Sequence, residues 1–411
     1  MPLKETDKDT SAVELPRGYE LEIYARVMPA VTCLAFDGGG ALYAADVIGR
    51  VLAYRAGAFE VLAEGFIPPI SGITFYDGSL YIAHKSRVSL VTRGGNKRDI
   101  LLGLPSFGDY GNSKVVFSPN GRLFFGQGTA TNSGVAGNDN AWLLEHPNFH
   151  DLPGADIHLN GANYASGDLF APLSGLKAVT GAFQPYGAAA ARGEVIKGGV
   201  KASGSILSCR PDGGGLELFA WGLRNISALK FDMSGRLFAV SLGMENRGSR
   251  PVVNSPAELH IIRRGMWYGW PDYTGGLPVS MPRFVPGDRE YTRLLISDPP
   301  MLPPPPLYLF SPGTAVQSLD INYGRGFKYG SLYFAESGSS EIEDKKTGGC
   351  ISAYDISNRA YSVFARNKDG AQDRGFGQLS DLVFGPDGAL YVADGQVIWR
   401  ISRNYKRSRQ H

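Results

Sequence analysis

The amino-acid sequence predicts an all-β fold, a six-bladed β-propeller. Three observations predict it. One short phrase recurs six times, each copy alternates with period two on both sides of a turn, and strand-like segments at the two ends can pair to close the ring. The copies are Leu34-Ala-Phe36 with Leu42-Tyr43, Ile73-Thr-Phe75 with Leu80-Tyr81, and Val115-Val-Phe117 with Leu123-Phe124. They continue as Leu229-Lys-Phe231 with Leu237-Phe238, Leu319-Asp-Ile321 with Leu332-Tyr333, and Leu382-Val-Phe384 with Leu390-Tyr391. Such a segment, interrupted by Asp, Asn, Gly or Pro, reads as a half-buried hairpin. A lone hairpin cannot bury its apolar face, so six imply stacked blades around a shared core, with the site at one mouth of the central channel.

In chain order, residues 1–16 read as a flexible, polar N-terminal segment. Tyr19-Glu-Leu21-Glu-Ile23-Tyr24 then alternates like a strand. Val397-Ile-Trp399-Arg-Ile401 alternates in the same way, so the N-terminal strand is expected to join the last blade and remove the free sheet edges. The copies start at 34, 73, 115, 229, 319 and 382, at gaps of 39, 42, 114, 90 and 63 residues. The first two gaps suit a bare four-stranded blade; the others imply long loop insertions on one face, at about 129–200, 245–312 and 339–377. Met301-Leu-Pro-Pro-Pro-Pro-Leu307 reads as an extended connector. The expected organisation is one propeller domain over 17–403, followed by a basic tail at 404–411.

Lysine plus arginine number 41 against 39 acidic residues, a formal charge of +2, and no basic field recommends nucleic acid as a partner. No run of about 18 apolar residues suggests a membrane span. Without an apolar leader the chain as written is expected in the cytoplasm, the alternative being a secreted or periplasmic protein from which a leader was removed. Cys33, Cys209 and Cys350 lack metal or redox spacing and read as small buried residues. His146, His150, Asp151, Asp156 and His158 gather in one insertion, but their spacing fits no standard metal motif, and ordinary loop hydrogen bonding is expected.

Superposing the copies defines two columns. Four residues beyond each motif leucine stand Asp46, His84, Gln127, Ser241, Glu336 and Asp394, all polar. They read either as functional groups or as residues satisfying backbone groups of a neighbouring blade. The second column, just ahead of each first strand, holds Tyr110, Arg224, Asn225 and Gln378, which are expected to converge at one mouth. An arginine there has a planar fork suited to carboxylates.

Trp221-Gly-Leu-Arg224-Asn225 leading into the fourth copy resembles the glucose/sorbosone dehydrogenase family. So does Ala257-Glu258-Leu259-His260 followed by Trp267-Tyr268-Gly269-Trp270-Pro271. The family comprises soluble quinoprotein sugar dehydrogenases, six-bladed propellers that use pyrroloquinoline quinone (PQQ) and calcium. The resemblance runs from about Leu15 to Ser402. It implies a cofactor contact by Arg224 and Asn225, beside which Gln378 of the second column and Trp270 of the second signature are candidate cofactor-binding residues, and calcium held by the backbone carbonyls of Gly243 and Met244. Tyr110 stands where the family's catalytic histidine is expected, which makes Tyr110, Arg224 and Asp109 the candidate catalytic set. A phenol of ordinary pKa near ~10 serves as a base only if a cation such as Arg224 depresses it. Met244 replaces a proline, Leu242 replaces a polar cofactor contact, and no lysine lies around Glu336–Ser340.

The resemblance implies a sugar or aldose dehydrogenase-like oxidoreductase acting on a small polyhydroxylated substrate. The alternatives are a repurposed propeller enzyme without PQQ, such as a lactonase-like hydrolase or an isomerase, and a non-catalytic small-molecule-binding propeller.

Overall fold

Six antiparallel sheets follow one another in chain order, and they are the blades of a six-bladed β-propeller. The computed structural model describes residues 8–287, 289, 291–338, 348–371 and 373–404; residues 1–7, the 339–347 part of the third insertion and tail residues 405–411 lie outside it. Blade 1 contains Val31–Phe36, Leu42–Asp46, Val51–Arg55 and Ala58–Ala63. Blade 2 contains Ile70–Tyr76, Ser79–His84, Arg87–Thr92 and Lys97–Leu101. Blade 3 joins Asn112–Phe117 and Leu123–Gln127 to the distant Ser205–Cys209 and Glu217–Trp221. Blade 4 contains Asn225–Phe231, Leu237–Leu242, Glu258–Ile262 and the short Tyr308–Leu309. Blade 5 runs through Thr314–Ile321, Leu332–Gly338, Gly348–Asp355 and Ala360–Asn367. Blade 6 contains Leu379–Phe384, Leu390–Asp394 and Val397–Arg403, completed by Tyr19–Arg26. The expected closure is therefore present, with Leu21 opposite Ile401 and Ile23 opposite Trp399. Among the described residues there is no α-helix, and no helix is long and apolar enough to cross a membrane.

The six copies share one register. The residue three places before each motif start pairs with the polar residue four beyond the motif leucine: Val31 with Asp46, Ile70 with His84, Asn112 with Gln127, Ile226 with Ser241, Val316 with Glu336, and Leu379 with Asp394. A register shift follows close behind each of these pairs, so a bulge recurs at the entrance of every blade. At the hairpin turns, Gly40, Gly121 and Gly235 take φ of 87°, 78° and 83°, a conformation that favours glycine.

The chain divides into two compact units, 1–84 with 89–98 and 314–411, and 85–88 with 99–313. In the first, Phe327, Tyr333, Leu382, Val392 and Trp399 pack one core, and Cys33, Ile70, Ile82 and Val91 another. Residues 8–16 depart from the flexible segment expected. Asp9 accepts from the Ser11 amide, Val13 and Glu14 pair with Asn367 and Arg366, and Lys8 Nζ donates to the Gly375 carbonyl at 2.6 Å. Burying Val13 among Phe376, Ile351 and their neighbours favours this ordered edge strand.

The second unit carries the two long insertions it contains as structured layers. Ile157–Asn160 pairs with Arg192–Ile196, and Asn163–Gly167 with Lys177–Gly181. Leu159, Phe183, Trp267, Trp270, Val279 and Phe284 close over a core of their own. Cys33 and Cys209 are buried as expected, whereas Cys350 is only half-buried, at a sheet position opposite Glu336.

Candidate functional site

The first polar column turns out to be architectural. His84 Nδ1 accepts from the Ile67 amide, Gln127 Nε2 donates to the Pro105 carbonyl, Ser241 Oγ accepts from the Arg224 amide, and Asp394 accepts from the Gly377 amide. Each ties the end of the second strand to the segment entering its own blade, not a neighbouring one. Asp46 instead holds its following turn through the amides of Ile48 and Arg50. Glu336 is bound by the Ser352 and Tyr361 hydroxyls, and burial pushes its carboxyl above the ordinary range.

The second column does bring Tyr110 and Arg224 together, inside the second unit. Tyr110 enters blade 3 with its amide on the Thr129 carbonyl, and Thr129 in turn donates to the Arg224 carbonyl. The Arg224 guanidinium lies 4.4 Å from the centre of the Tyr110 ring, a cation–π contact, and its Nη2 donates to the Tyr110 hydroxyl. Arg224 is 3% exposed, and its fork is fully engaged. Nε donates to the Asn132 carbonyl at 3.1 Å, Nη1 to the Gly243 carbonyl at 2.6 Å, and Nη2 to Asn132 Oδ1 at 2.9 Å, with Glu245 Oε1 at 3.0 Å.

Around this pair the loop after blade 4's second strand supplies charge. Tyr110 Oη donates to Glu245 Oε1 at 3.0 Å and accepts from Arg247 Nη2 at 3.2 Å. Arg247 also pairs with Asp109 and Asp139, each at 2.6 Å, and with the second oxygen of Glu245. Asp109 is held in turn by Asn140 Nδ2 and by the Trp142 indole at 2.9 Å. Side-chain exposures of 47% for Glu245 and 29% for Arg247 make these two the solvent face of the cluster.

Burial pushes the Tyr110 hydroxyl above its ordinary value, and the Arg224 charge does not reverse this. The condition under which Tyr110 would serve as a base is therefore not met: the phenol is desolvated, and the neighbouring Glu245 carboxylate opposes a second negative charge, which together outweigh the lowering by Arg224. Burial also raises Glu245, but the Arg224 charge and the hydrogen bonds from Arg247 and Arg224 outweigh it and hold the carboxyl at about 2.

The remaining sequence candidates divide. Trp270 is buried and donates to the Asn132 carbonyl at 3.2 Å, so it reaches the cluster through the same oxygen that Arg224 uses. Asn225 begins the first strand of blade 4, in register with Leu242. Gln378 belongs to the other unit, exposed just ahead of Leu379–Phe384. Met244 packs its side chain in the insertion core and donates its amide to Ser255 Oγ. In the histidine-rich segment, His146 packs on Phe107, His150 Nδ1 meets the Asp151 carbonyl, and Asp156 pairs with Lys197, which is the loop bonding expected.

Asn132, Glu245 and Arg247 are the residues that sequence reasoning misses. Their signals are present but faint. Thr129, Thr131, Asn132 and Ser133 form a polar run without charge, and Glu245 and Arg247 follow directly on the column residue Ser241. That polar run is wholly buried although it forms no strand, so every polar group in it needs a partner. Asp151 accepts from the Ala130 and Thr131 amides, and Asn132 Nδ2 donates to the Glu245 carbonyl at 2.8 Å. A small, part-open cleft adjoins Arg224, with His260, Tyr268 and Trp270 in its wall. There His260 Nε2 and Glu258 Oε2 share a hydrogen bond of 2.9 Å.

Solved structures share this fold. A putative oxidoreductase (glucose dehydrogenase) from Thermus thermophilus is 19% identical, covering 93% of this chain and 100% of that one with a TM-score of 0.56. The likeness is one of fold. The PQQ-bound aldose sugar dehydrogenase of Streptomyces coelicolor is 16% identical over 95% and 99% of the two chains, with a TM-score of 0.53. The holo PQQ domain of pyranose dehydrogenase from Coprinopsis cinerea is 14% identical over 95% and 97%, with a TM-score of 0.61. No protein-family model matches the chain, and neither does any curated protein sequence.

Arg224, Trp270 and the Gly243 carbonyl, which the resemblance assigns to PQQ and calcium, are engaged within the protein and do not fit those groups as they are arranged here. The Gly243 carbonyl accepts a guanidinium nitrogen at 2.6 Å, which puts positive charge where a cation would coordinate. Arg224 has its nitrogens committed to Asn132, Gly243, Tyr110 and Glu245, and the Trp270 indole N–H is committed to Asn132. Among the described residues no three His, Cys, Asp or Glu side chains are grouped to hold a metal.

Proposed function

We propose that this chain is a sugar-dehydrogenase-like oxidoreductase that takes a small polyhydroxylated substrate, an aldose or a related compound, at the Tyr110–Glu245–Arg247 cluster. One observation carries the reading. A carboxylate, a phenol and a guanidinium meet within 3.2 Å on a partly exposed surface, offering the alternating acceptors and donors that neighbouring hydroxyl groups require. The likeness in fold to sugar dehydrogenases over more than nine-tenths of the chain supports the oxidoreductase class. In this reading Glu245 accepts a hydrogen bond from a substrate hydroxyl, Arg247 and Tyr110 donate to adjacent oxygens, and Asp109 holds Arg247 in place. The buried Arg224 fixes the Tyr110 ring from behind.

A second reading, a propeller that binds such a compound without oxidising it, is favoured by a different observation. Glu245 is held at about 2 and Tyr110 lies above the ordinary phenol value, so neither stands near neutral pH, where a general base is most effective.

A panel of aldoses and polyols, screened with a soluble redox dye as electron acceptor, in the presence and absence of PQQ and calcium, tests the proposal. Dye reduction that falls at least ~10-fold in Glu245→Gln supports the first reading. Binding by ligand-observed NMR without dye reduction supports the second. Absence of both binding and turnover refutes the assignment of the cluster.

A further inference from the structure

We infer that Arg224 is a built-in cation: its guanidinium supplies the positive charge on which a set of buried oxygens converges, so the protein holds this position together without calcium. Five oxygens converge on it: the Asn132 carbonyl and Oδ1, the Gly243 carbonyl, the Tyr110 hydroxyl and Glu245 Oε1. Carbonyls, an amide oxygen and one carboxylate are the hard donors that calcium takes in sets of about 6–8. Here they surround a planar cation, and the spacing follows its fork. Nε and Nη2 both reach Asn132, while Nη1 points the other way to Gly243.

The geometry also explains why an arginine and not a lysine stands here. A lysine has one nitrogen and could not reach oxygens on opposite sides of the guanidinium fork at once. Asn132 is the residue that makes the position specific. Its Oδ1 accepts from both Arg224 and the Glu245 amide, and its Nδ2 donates to the carbonyls of Glu245 and Arg247. The cation therefore sets the Gly243–Arg247 loop, and through it the face on which Glu245 and Arg247 are offered. This inference rests on the proposed reading only for what that face binds, and its test involves no substrate.

The experiment is chemical rescue, followed by thermal unfolding. Wild type is expected to show no change in melting temperature between ~1 mM calcium and excess chelator, and no heat of calcium binding by calorimetry. Arg224→Ala is expected to melt at least ~4 °C lower, with half or more of the loss restored by guanidinium ion at tens of millimolar, a concentration that leaves wild type unmoved. Should Arg224→Ala fail to fold, Arg224→Lys serves in its place, expected to melt lower than wild type because one nitrogen cannot serve both sides of the fork. Any of three results overturns the inference: no rescue of Arg224→Ala by guanidinium, an Arg224→Lys protein that melts like wild type, or stabilisation of wild type by calcium that disappears in Glu245→Gln. Failure of the sugar-oxidation reading would instead appear as an absence of binding and dye reduction with these ion responses unchanged.

Discussion

Replacing Asn132 by alanine should release the Gly243–Arg247 loop without unfolding the blades. The side chain makes four hydrogen bonds: from Arg224 Nη2 at 2.9 Å, from the Glu245 amide at 2.9 Å, and to the carbonyls of Glu245 and Arg247 at 2.8 and 3.2 Å. The first is charge-assisted and contributes about 1.5–3 kcal/mol, the others about 0.5–1.5 kcal/mol each. These do not add fully, because the partners share one loop, so the loss is about 3–4 kcal/mol. Little of it is recovered by solvent, since Asn132 is buried and the groups left behind stay largely dry. Hydrogen exchange read by mass spectrometry on peptides spanning 243–250 measures the local opening directly, and a loss of this size lowers protection there by ~10² or more. Peptides from Leu237–Leu242 should change far less, because their ladder to Glu258–Ile262 is untouched. A change below about threefold in the 243–250 peptides would refute the reasoning that Asn132 clamps the loop.

Other perturbations test separate parts of the site. Tyr110→Phe keeps the ring under Arg224 but removes the hydroxyl between Glu245 and Arg247; substrate affinity or turnover should drop ~10-fold or more, and stability should fall by about 1.5–3 kcal/mol in urea titration because the lost bonds are charge-assisted. Asp151 is fully buried, and burial pushes it up to about 6, so the folded state binds a proton that the unfolded state has released. Its contribution to stability is present at pH 4 and is lost as pH rises through 6, on the order of 3 kcal/mol, and Asp151→Asn should remove that slope from urea midpoints measured between pH 4 and 7. Glu245 has the opposite sign. Held at about 2, it contributes stability above its unfolded value of 4.5 that is lost as pH falls toward 2, and Glu245→Gln should flatten that acid limb. Arg250→Met strands the buried Asp272, its partner at 2.9 Å, and should cost about 3–5 kcal/mol, most of it regained when Asp272→Asn is added.

The blades were legible because their information is local. Period-two alternation, a turn of Asp, Asn or Gly, and a Leu-aromatic return lie within about ten residues, and the shared register of Val31 with Asp46 and Ile226 with Ser241 follows from counting. The same counting placed Tyr110 and Arg224 in one slot, and they do meet. What counting could not supply lies in the insertions. Asn132 and Arg247 are 115 residues apart and hydrogen-bond only because a strandless buried run and a loop converge on Arg224. No period connects them. The choice between the two readings of the first column was open for a related reason: a polar residue at a strand end looks the same in sequence whether it faces a ligand or holds its own chain, and in the structure His84, Gln127 and Asp394 hold their own chain. The direction of the Tyr110 shift was also beyond the sequence, since it depends on how far burial outweighs a nearby cation.

Those strand-end bonds bear on how such a scaffold can diversify. In blade 1 the second and third strands are joined by residues 47–50, whereas in blade 3 the same junction spans 128–204. By loop-closure entropy alone, lengthening four residues to 77 costs roughly 2–3 kcal/mol. The penalty is that small because closure entropy grows only with the logarithm of loop length, and the ends themselves are held by bonds outside the excursion: Gln127 is anchored to Pro105 before it begins, and Ser205 resumes pairing with Gln127 afterwards. Such a junction therefore offers a splice point at which tens of residues can be added without renegotiating the sheet. Transplanting 128–204 alone onto another propeller should nevertheless fail to carry the site with it, because Asn132 is bonded to Arg224, Glu245 and Arg247 and the insertion core is shared with Trp267, Trp270 and Phe284.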